Sequence, residues 1–518
     1  MKRVLALFAC AALAGACQDN PTGVAPGTQP AWELQSGTVE IDPALTEALA
    51  TAAETDRFEV LVSFDRSLTD AEILSGAIQQ LDAGVIGFKH LPVLAVLATP
   101  AQVAAIQSLA GVVSIYLDTP QYPLNLEGAG SVQADHVWAL GVTGKGVGIA
   151  ILDTGVDATH PDLKLGSKVV QNAAVQANTK DLYTFPGRDS VTGLKTPKPV
   201  KKGAELFAED LPNTDSDHGH GTHVAGSAGG GGNASGGKYR GVAPGAHIVG
   251  VRATVPGGSF PQVMILAGFD YIIENRKEYN IQVVNNSWGS SGDFNRNSAI
   301  AIATKAVHDA GVTVVFAAGN CGSGGSATCR PTSAPHQLNP HSVAPWVIGV
   351  AAGCKLNRDG DGNLLAQGDP NWTGRCPEDN RGRVLASFSS RGANPAKHPS
   401  YFDAGYYPDI TAPGVYTVST RATTGTAMNA LDMPSDLTLC RIDDGHLAYY
   451  TCASGTSMAA PHVAGIVALM EEASGGTLTP DQALAVLTRT ARPLPSYATW
   501  EVGAGYADAL AAVQALKK

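Results

Sequence analysis

The chain has 518 residues, 44% of them hydrophobic, with 59 glycines and a formal net charge of −11 from 46 acidic and 35 basic side chains. That length suffices for one large α/β domain together with a small one, and the acid excess argues against nucleic acid as a partner.

At the N-terminus, Met1-Lys2-Arg3, the apolar run Val4 to Leu13 and the small residues Ala14-Gly15-Ala16 are the basic, apolar and small-residue parts of a secretory signal peptide. Residues 1–17 are read as that segment, too short to span a membrane, and the chain as exported. Cys17 resembles the lipidation site of bacterial lipoproteins, although Leu13 lies one place further back than the usual pattern. Plain cleavage with secretion and lipid attachment at the cell envelope both stay open, and lipid on Cys17 is the one membrane attachment expected. Residues 18–56, which open Pro/Gly/Thr-rich, are read as a linker. Residues 57–120 then show a compact pattern: a strand from Arg57 to Phe64, a helix from Thr69 to Leu81, strands at Val85 to His90 and Val93 to Ala98, a helix from Pro100 to Leu109, and a strand at Val112 to Leu117. This β-α-β-β-α-β order is that of a ferredoxin-like α+β unit, or else of an unrelated small domain.

Residues 121–518 are read as the large domain. Val147 to Leu152 is a continuous apolar run, expected as a buried parallel strand, and it ends at Asp153 before a glycine turn. A carboxylate there sits where open α/β sheets place their sites, although a lone Asp-x-Gly is more often an ordinary turn. The Lys/Pro/Asp-rich stretch between Leu163 and Asp217 lacks a core pattern and reads as a surface loop. Next, His218, His220 and His223 precede an apolar helical face. They suit either a metal site of the His-x-His-x-x-His kind or a single general base with supporting neighbours. A further apolar strand, Val312 to Gly319, ends at Asn320, which by itself is a turn residue. Beyond it, Cys321, Cys329, Cys354, Cys376, Cys440 and Cys452 form an even set, suggesting disulfides in an exported chain. Sequential pairing is expected, closing three short loops, with free buried thiols the alternative. Arg358 to Asn363 reads as a calcium turn or a solvated Asp-Gly turn. Finally, Gly455-Thr456-Ser457 opens a long apolar helix, where the serine is either a cap or a nucleophile.

Asp, His and Ser in this order, each in a glycine-rich motif, match the order of subtilisin. The chain resembles the subtilisin-like serine peptidases (subtilases) over roughly residues 130 to 515. The matching blocks are Ala150 to Asp157 with His160 to Leu163, His220 to Gly226, Gly241 to Ala246, Asn286 to Gly289, Ala317 to Asn320, Ser387 to Gly392, Pro408 to Gly414 and Gly455 to Gly465.

The resemblance implies an α/β, three-layer domain with a mostly parallel central sheet, and a serine endopeptidase that needs no cofactor for catalysis. Asp153, His220 and Ser457 would form its triad, Asn320 would donate to the oxyanion, and Ser287, Trp288, Gly289, Gly257 and Gly258 would contact a polypeptide substrate. It also implies that residues 57–120 are an inhibitory propeptide, with Tyr116 to Leu126 running toward the active site to be cut, and that the enzyme is a monomer. A structural calcium ion would lie at Asp409 with the carbonyls of Pro345 and Val347. Two other classes remain: a metal-dependent hydrolase on His218, His220 and His223, and a catalytically silent binding relative, against which the four cognate residues argue.

Overall fold

The computed structural model describes residues 39–118, 129–176, 206–324, 329–355, 384–424 and 444–517, with 428, 440 and 442 and the main chain of 122–123. The signal-peptide segment, Cys17, Cys376 and the turn Arg358 to Asn363 lie outside the described residues.

The first part is a five-stranded sheet in the order β1-β5-β2-β4-β3. Its strands are β1 (Glu40–Ile41), β2 (Phe58–Phe64), β3 (Gly84–Gly87), β4 (Val93–Ala98) and β5 (Val112–Leu117). A helix α1 (Pro43–Thr51) precedes β2, while α2 (Ala71–Gln80) and α3 (Pro100–Gln107) complete the β-α-β-β-α-β order. Asp70 accepts from the Ile73 N–H at the start of α2, and Thr99 with Gln102 forms a reciprocal capping box on α3. Val60, Val62, Leu94 and Val96 face these helices, whereas Leu61, Val93 and Ala95 face the opposite side. With both faces covered, β4 is apolar at every step and β2 is apolar from Val60 to Val62.

Residues 40–51 correct the linker reading of 18–56. β1 pairs in parallel with β5, and α1 begins at Asp42, whose carboxylate accepts from the Ala44 N–H at 3.0 Å with Pro43 in the first turn. The Asp-Pro start and the buried Leu45 are helix signals that the Pro/Gly/Thr-rich stretch before them hid.

After a short strand β6 (Tyr122–Pro123) and a helix α4 (Ala134–Ala139), the chain builds an eight-stranded sheet in the order β15-β14-β13-β11-β7-β10-β8-β9. Its members are β7 (Gly148–Asp153), β8 (Val169–Val175), β9 (Phe207–Ala208), β10 (His247–Arg252), β11 (Ile281–Asn286), β13 (Thr313–Ala317), β14 (Val347–Gly353) and β15 (Ile410–Pro413). Every neighbouring pair is parallel except β8 with β9. β12 (Trp288–Gly289) pairs instead with β6, and β16 (Thr417–Thr420) with β17 (Tyr450–Ala453), both antiparallel. β8 overturns part of the surface-loop reading of Leu163 to Asp217, because Val169, Ala173 and Val175 bury themselves against β10. Their small, interrupted apolar pattern beside a Lys/Pro-rich stretch carries little periodic signal.

Two helical layers cover the sheet. On one side α5 (His220–Gly229), α8 (Thr456–Ser474), α9 (Pro480–Thr490) and α10 (Ala509–Gln514) pack with Ile149, Ile151, Val283 and Val315. On the other, α6 (Gln262–Asn275) and α7 (Ala299–Asp309) pack with Ala150, Leu152, Val284 and Phe316. Leu61, Phe88, Leu91, Val93 and Ala95 of the N-terminal sheet join this second cluster, so the small sheet lies on α6 and α7. Polar groups rim the contact. Asp118 accepts from the Gln262 and Val263 N–H groups at 2.5 and 3.2 Å, Asp270 accepts from the Lys89 and His90 N–H groups, and Ser114 donates to the Asn297 carbonyl at 2.8 Å. Among the described residues no helix is long and apolar enough to cross a membrane.

Candidate active site

Asp153 ends the central strand β7, and His220 opens α5. Both side chains are fully buried, and His220 Nδ1 meets Asp153 Oδ1 at 2.5 Å. Asp153 Oδ1 also accepts the Thr154 N–H at 2.7 Å. α5 starts at this point because Gly219 adopts φ 90° and offers no side chain as a cap. The cap comes from Asp215, which accepts from the Gly219 N–H at 2.8 Å and the Thr222 N–H at 2.9 Å. Burial pushes the Asp215 carboxyl up to about 6, against hydrogen bonds that favour its charged form. Asp215 was missed by the sequence reading, in which an acid five residues before the histidine has no separate pattern.

Ser457 is the second residue of α8 and is fully buried. Its hydroxyl donates to the Ser287 carbonyl at 2.8 Å, and the Ser287 hydroxyl donates back to the Ser457 carbonyl at 2.5 Å. Asn320 follows the end of β13 with its amide oriented: Oδ1 accepts from the Thr456 N–H at 2.8 Å and the Thr456 hydroxyl at 2.9 Å. Thr456 Oγ1 in turn accepts the Gly319 N–H at 3.0 Å. With its oxygen committed, Asn320 keeps Nδ2 as the outward donor. Thr456, the residue that sets this orientation, reads in sequence only as part of the serine turn.

The expected substrate residues separate into two groups. Ser287, Trp288 and Gly289 lie beside the serine, and β12 pairs with Tyr122–Pro123 in the register Trp288 to Pro123 and Gly289 to Tyr122. The Trp288 side chain itself turns into the core: it is fully buried, packs on Phe260, Phe269 and Phe316, and donates Nε1–H to the Leu152 carbonyl at 2.8 Å, which leaves its main chain to meet a peptide. Gly257 and Gly258 form a turn with φ 93° and 81°. The Asp217 carboxylate accepts the Gly257 N–H at 3.2 Å, and a Cβ on Gly258 would stand 2.3 Å from the His218 ring.

The three histidines do not converge as ligands. Among the described residues no group of three or more His, Cys, Asp or Glu side chains could hold a metal ion. Burial draws His218 down to about 4 and His223 down to about 3, with the neighbouring His220 adding to both. Asp409 lies opposite Gly349, two residues past Val347, and accepts its N–H at 2.7 Å. Desolvation pushes the Asp409 carboxyl up to about 7, and no basic side chain pairs with it among the described residues. A desolvated carboxyl without a counter-charge suits a hard cation. Disulfides join Cys321 to Cys329, immediately after Asn320, and Cys440 to Cys452. Cys354 is also disulfide-bonded, its expected partner Cys376 lying outside the described residues.

A family model described as "Subtilase family" matches residues 144–507. The serine protease AprX of Bacillus subtilis is 31% identical over 343 residues, covering 64% of this chain and 65% of its own length. Subtilisin DY of Bacillus licheniformis is 28% identical over 339 residues, covering 65% of this chain and 81% of its own. The chain thus spans about two thirds of the first of these relatives. Among solved structures, fervidolysin from Fervidobacterium pennivorans, a keratinolytic enzyme related to subtilisin, superposes with a TM-score of 0.57 at 20% identity over 92% of this chain and 63% of its own. At that identity the likeness is one of fold.

Proposed function

The chain belongs to the subtilase family, and from that premise we propose that it is an exported serine endopeptidase that hydrolyses peptide bonds in proteins and is made as a zymogen that cuts itself. One observation carries the reading. Ser457 is bonded to Ser287, and the next two residues of that strand hold Tyr122–Pro123 as an added antiparallel strand. An extended peptide, supplied by the chain itself, therefore lies beside the serine in the manner of a strand-addition substrate.

In the proposed mechanism the Ser457 hydroxyl leaves the Ser287 carbonyl, gives its proton to His220 and attacks the scissile carbonyl. His220 then delivers the proton to the leaving amine. Asp153 fixes the Nδ1–H tautomer and stabilises the imidazolium without taking the proton. Asn320 Nδ2 and the Ser457 N–H at the start of α8 stabilise the oxyanion. Water hydrolyses the acyl-enzyme by the same steps reversed.

The N-terminal domain acts as the inhibitory propeptide, docked on α6 and α7 with Tyr122–Pro123 on β12. After export the enzyme is a monomer, either released or held by lipid on Cys17. Calcium at Asp409 and the carbonyls of Pro345 and Val347 would relieve the desolvated carboxylate and stabilise the β14–β15 edge without entering catalysis.

The test is Ser457→Ala in the full chain. The variant is expected to accumulate as an uncut precursor without proteolytic activity, while the parent matures and is inactivated by a covalent serine-directed inhibitor but not by a zinc chelator. A Ser457→Ala chain that matures by itself would refute self-cutting, and loss of activity to the chelator alone would favour the metal-hydrolase class.

A further inference from the structure

We propose that Asp215 is a positioning residue for the catalytic pair: it binds the end of β7 and the start of α5 to one carboxylate, and so sets where His220 meets Asp153. The inference rests on the roles of Asp153, His220 and Ser457 given above.

The fully buried Asp215 carboxylate accepts four hydrogen bonds. Oδ1 takes the Thr154 hydroxyl at 2.9 Å and the Gly219 N–H at 2.8 Å, while Oδ2 takes the Thr222 N–H at 2.9 Å and the Thr222 hydroxyl at 2.6 Å. Thr154 directly follows Asp153, whereas Gly219 and Thr222 flank His220. The two threonines extend the clamp in both directions. While donating to Asp215, Thr154 Oγ1 accepts the Gly221 N–H at 2.8 Å, and Thr222 Oγ1 accepts the Asp157 N–H at 2.9 Å. An ordinary cap serves one helix terminus. This carboxylate instead ties two elements together, at the residues next to the acid and next to the base.

The joint leaves no slack. A Cβ on Gly221 would stand 2.1 Å from the Gly155 carbonyl oxygen and 3.1 Å from Asp153 Cβ, so α5 already touches the exit of β7. A packed interface of this kind passes a small displacement on instead of absorbing it. Loss of one of the bonds that Asp215 accepts therefore moves His220 relative to Asp153, while β12, which pairs with Tyr122–Pro123, makes none of these bonds.

Asp215→Asn keeps the shape but cannot accept all four donors, since its NH2 group must face one of them. In the self-maturing chain it is expected to lower kcat at least tenfold and leave KM within twofold. In the full-length Ser457→Ala background, the downfield Nδ1–H proton resonance of His220 is expected to shift or broaden away. A helix cap without a positioning role would lower the melting temperature while kcat and the resonance stay unchanged, and that result overturns the proposal. Should Asp215→Asn fail to fold, Thr154→Val removes one donor of the four and should still lower kcat with KM held; an unchanged kcat there overturns it equally. Proteolysis persisting in Ser457→Ala would instead sink the functional reading and leave the clamp untouched.

Discussion

Trp288→Phe tests whether the indole of the segment proposed to bind substrate belongs to the core, as the structure places it, or touches the substrate itself. β11 stops pairing with β7 at Ile151, and the indole N–H reaches the Leu152 carbonyl one residue further on, at 2.8 Å. Phenylalanine offers no donor, so a buried carbonyl beside Asp153 loses its partner at about 1–3 kcal/mol. The smaller ring also leaves on the order of 40 Å3 unfilled among Phe260, Phe269 and Phe316, worth roughly 1 kcal/mol at about 24 cal/mol per Å3. The sum is a destabilisation of about 2–4 kcal/mol, measurable by urea unfolding of the full-length Ser457→Ala chain so that self-digestion does not intrude. In the active background, a panel of peptides varied at the residue before the cut should keep its ranking, because the ring never reaches the surface. A change below about 0.5 kcal/mol together with an altered ranking would refute the core assignment.

Asn320→Ala should lower kcat by about 10²–10³ with KM little changed, as loss of one oxyanion donor does in subtilisin; a loss under threefold in steady-state assays would remove Asn320 from the oxyanion site. Asp118→Ala takes away the acceptor for the first N–H groups of α6, worth about 0.5–2 kcal/mol, and should shorten the lag before activity appears by roughly 2- to 30-fold; an unchanged lag means that Asp118 does not hold the N-terminal domain. The third prediction concerns acid. Burial draws His223 and His341 down to about 3 and His462 down to about 4, so each contributes stability that is complete above the ordinary 6.5 and is lost as pH falls toward the folded value. For His223 the interval from 6.5 to about 3 is on the order of 5 kcal/mol. Asp409 and Glu471, pushed up to about 7, and Asp215, pushed up to about 6, work the other way and gain as pH falls from 7 toward the ordinary carboxylate range. Melting temperatures of the Ser457→Ala chain should hold between pH 7 and about 4.5 and collapse below it; a continuous rise down to about pH 3.5 would contradict the histidine assignment.

The fold was legible wherever burial on both faces forced continuous apolar runs bounded by turn residues. Gly148 to Leu152 and Thr313 to Ala317 are such runs, and so is β4 of the small sheet. β8 was not legible, because its buried positions include Asn172, whose amide serves the turn around Val156 and Thr214, and Gln171, whose amide donates to the Tyr279 hydroxyl and accepts the Asp210 N–H. Polar residues with internal partners interrupt the pattern that identifies a strand. α1 was lost for another reason: only Leu45 of its nine residues is buried, so it presents almost no periodic face.

For the site, the residues proposed to carry reaction roles each stand within two positions of a glycine, and those motifs were readable one at a time. The supporting residues were not, since Asp215 and Thr456 act through bonds to main chain far away in sequence, for which no local pattern exists. Trp288 shows that a segment's motif does not tell which way each side chain points. Successive residues of a strand point to opposite faces, so Ser287 reaches Ser457 on the α8 side while Trp288 enters the α6–α7 core. What remains at the surface of Trp288–Gly289 is main chain, and main chain is what pairs with Tyr122–Pro123. A peptide bound there would be recognised through its backbone whatever its side chains, and on the proposed reading that property lets one edge hold first Tyr122–Pro123 and then unrelated substrates.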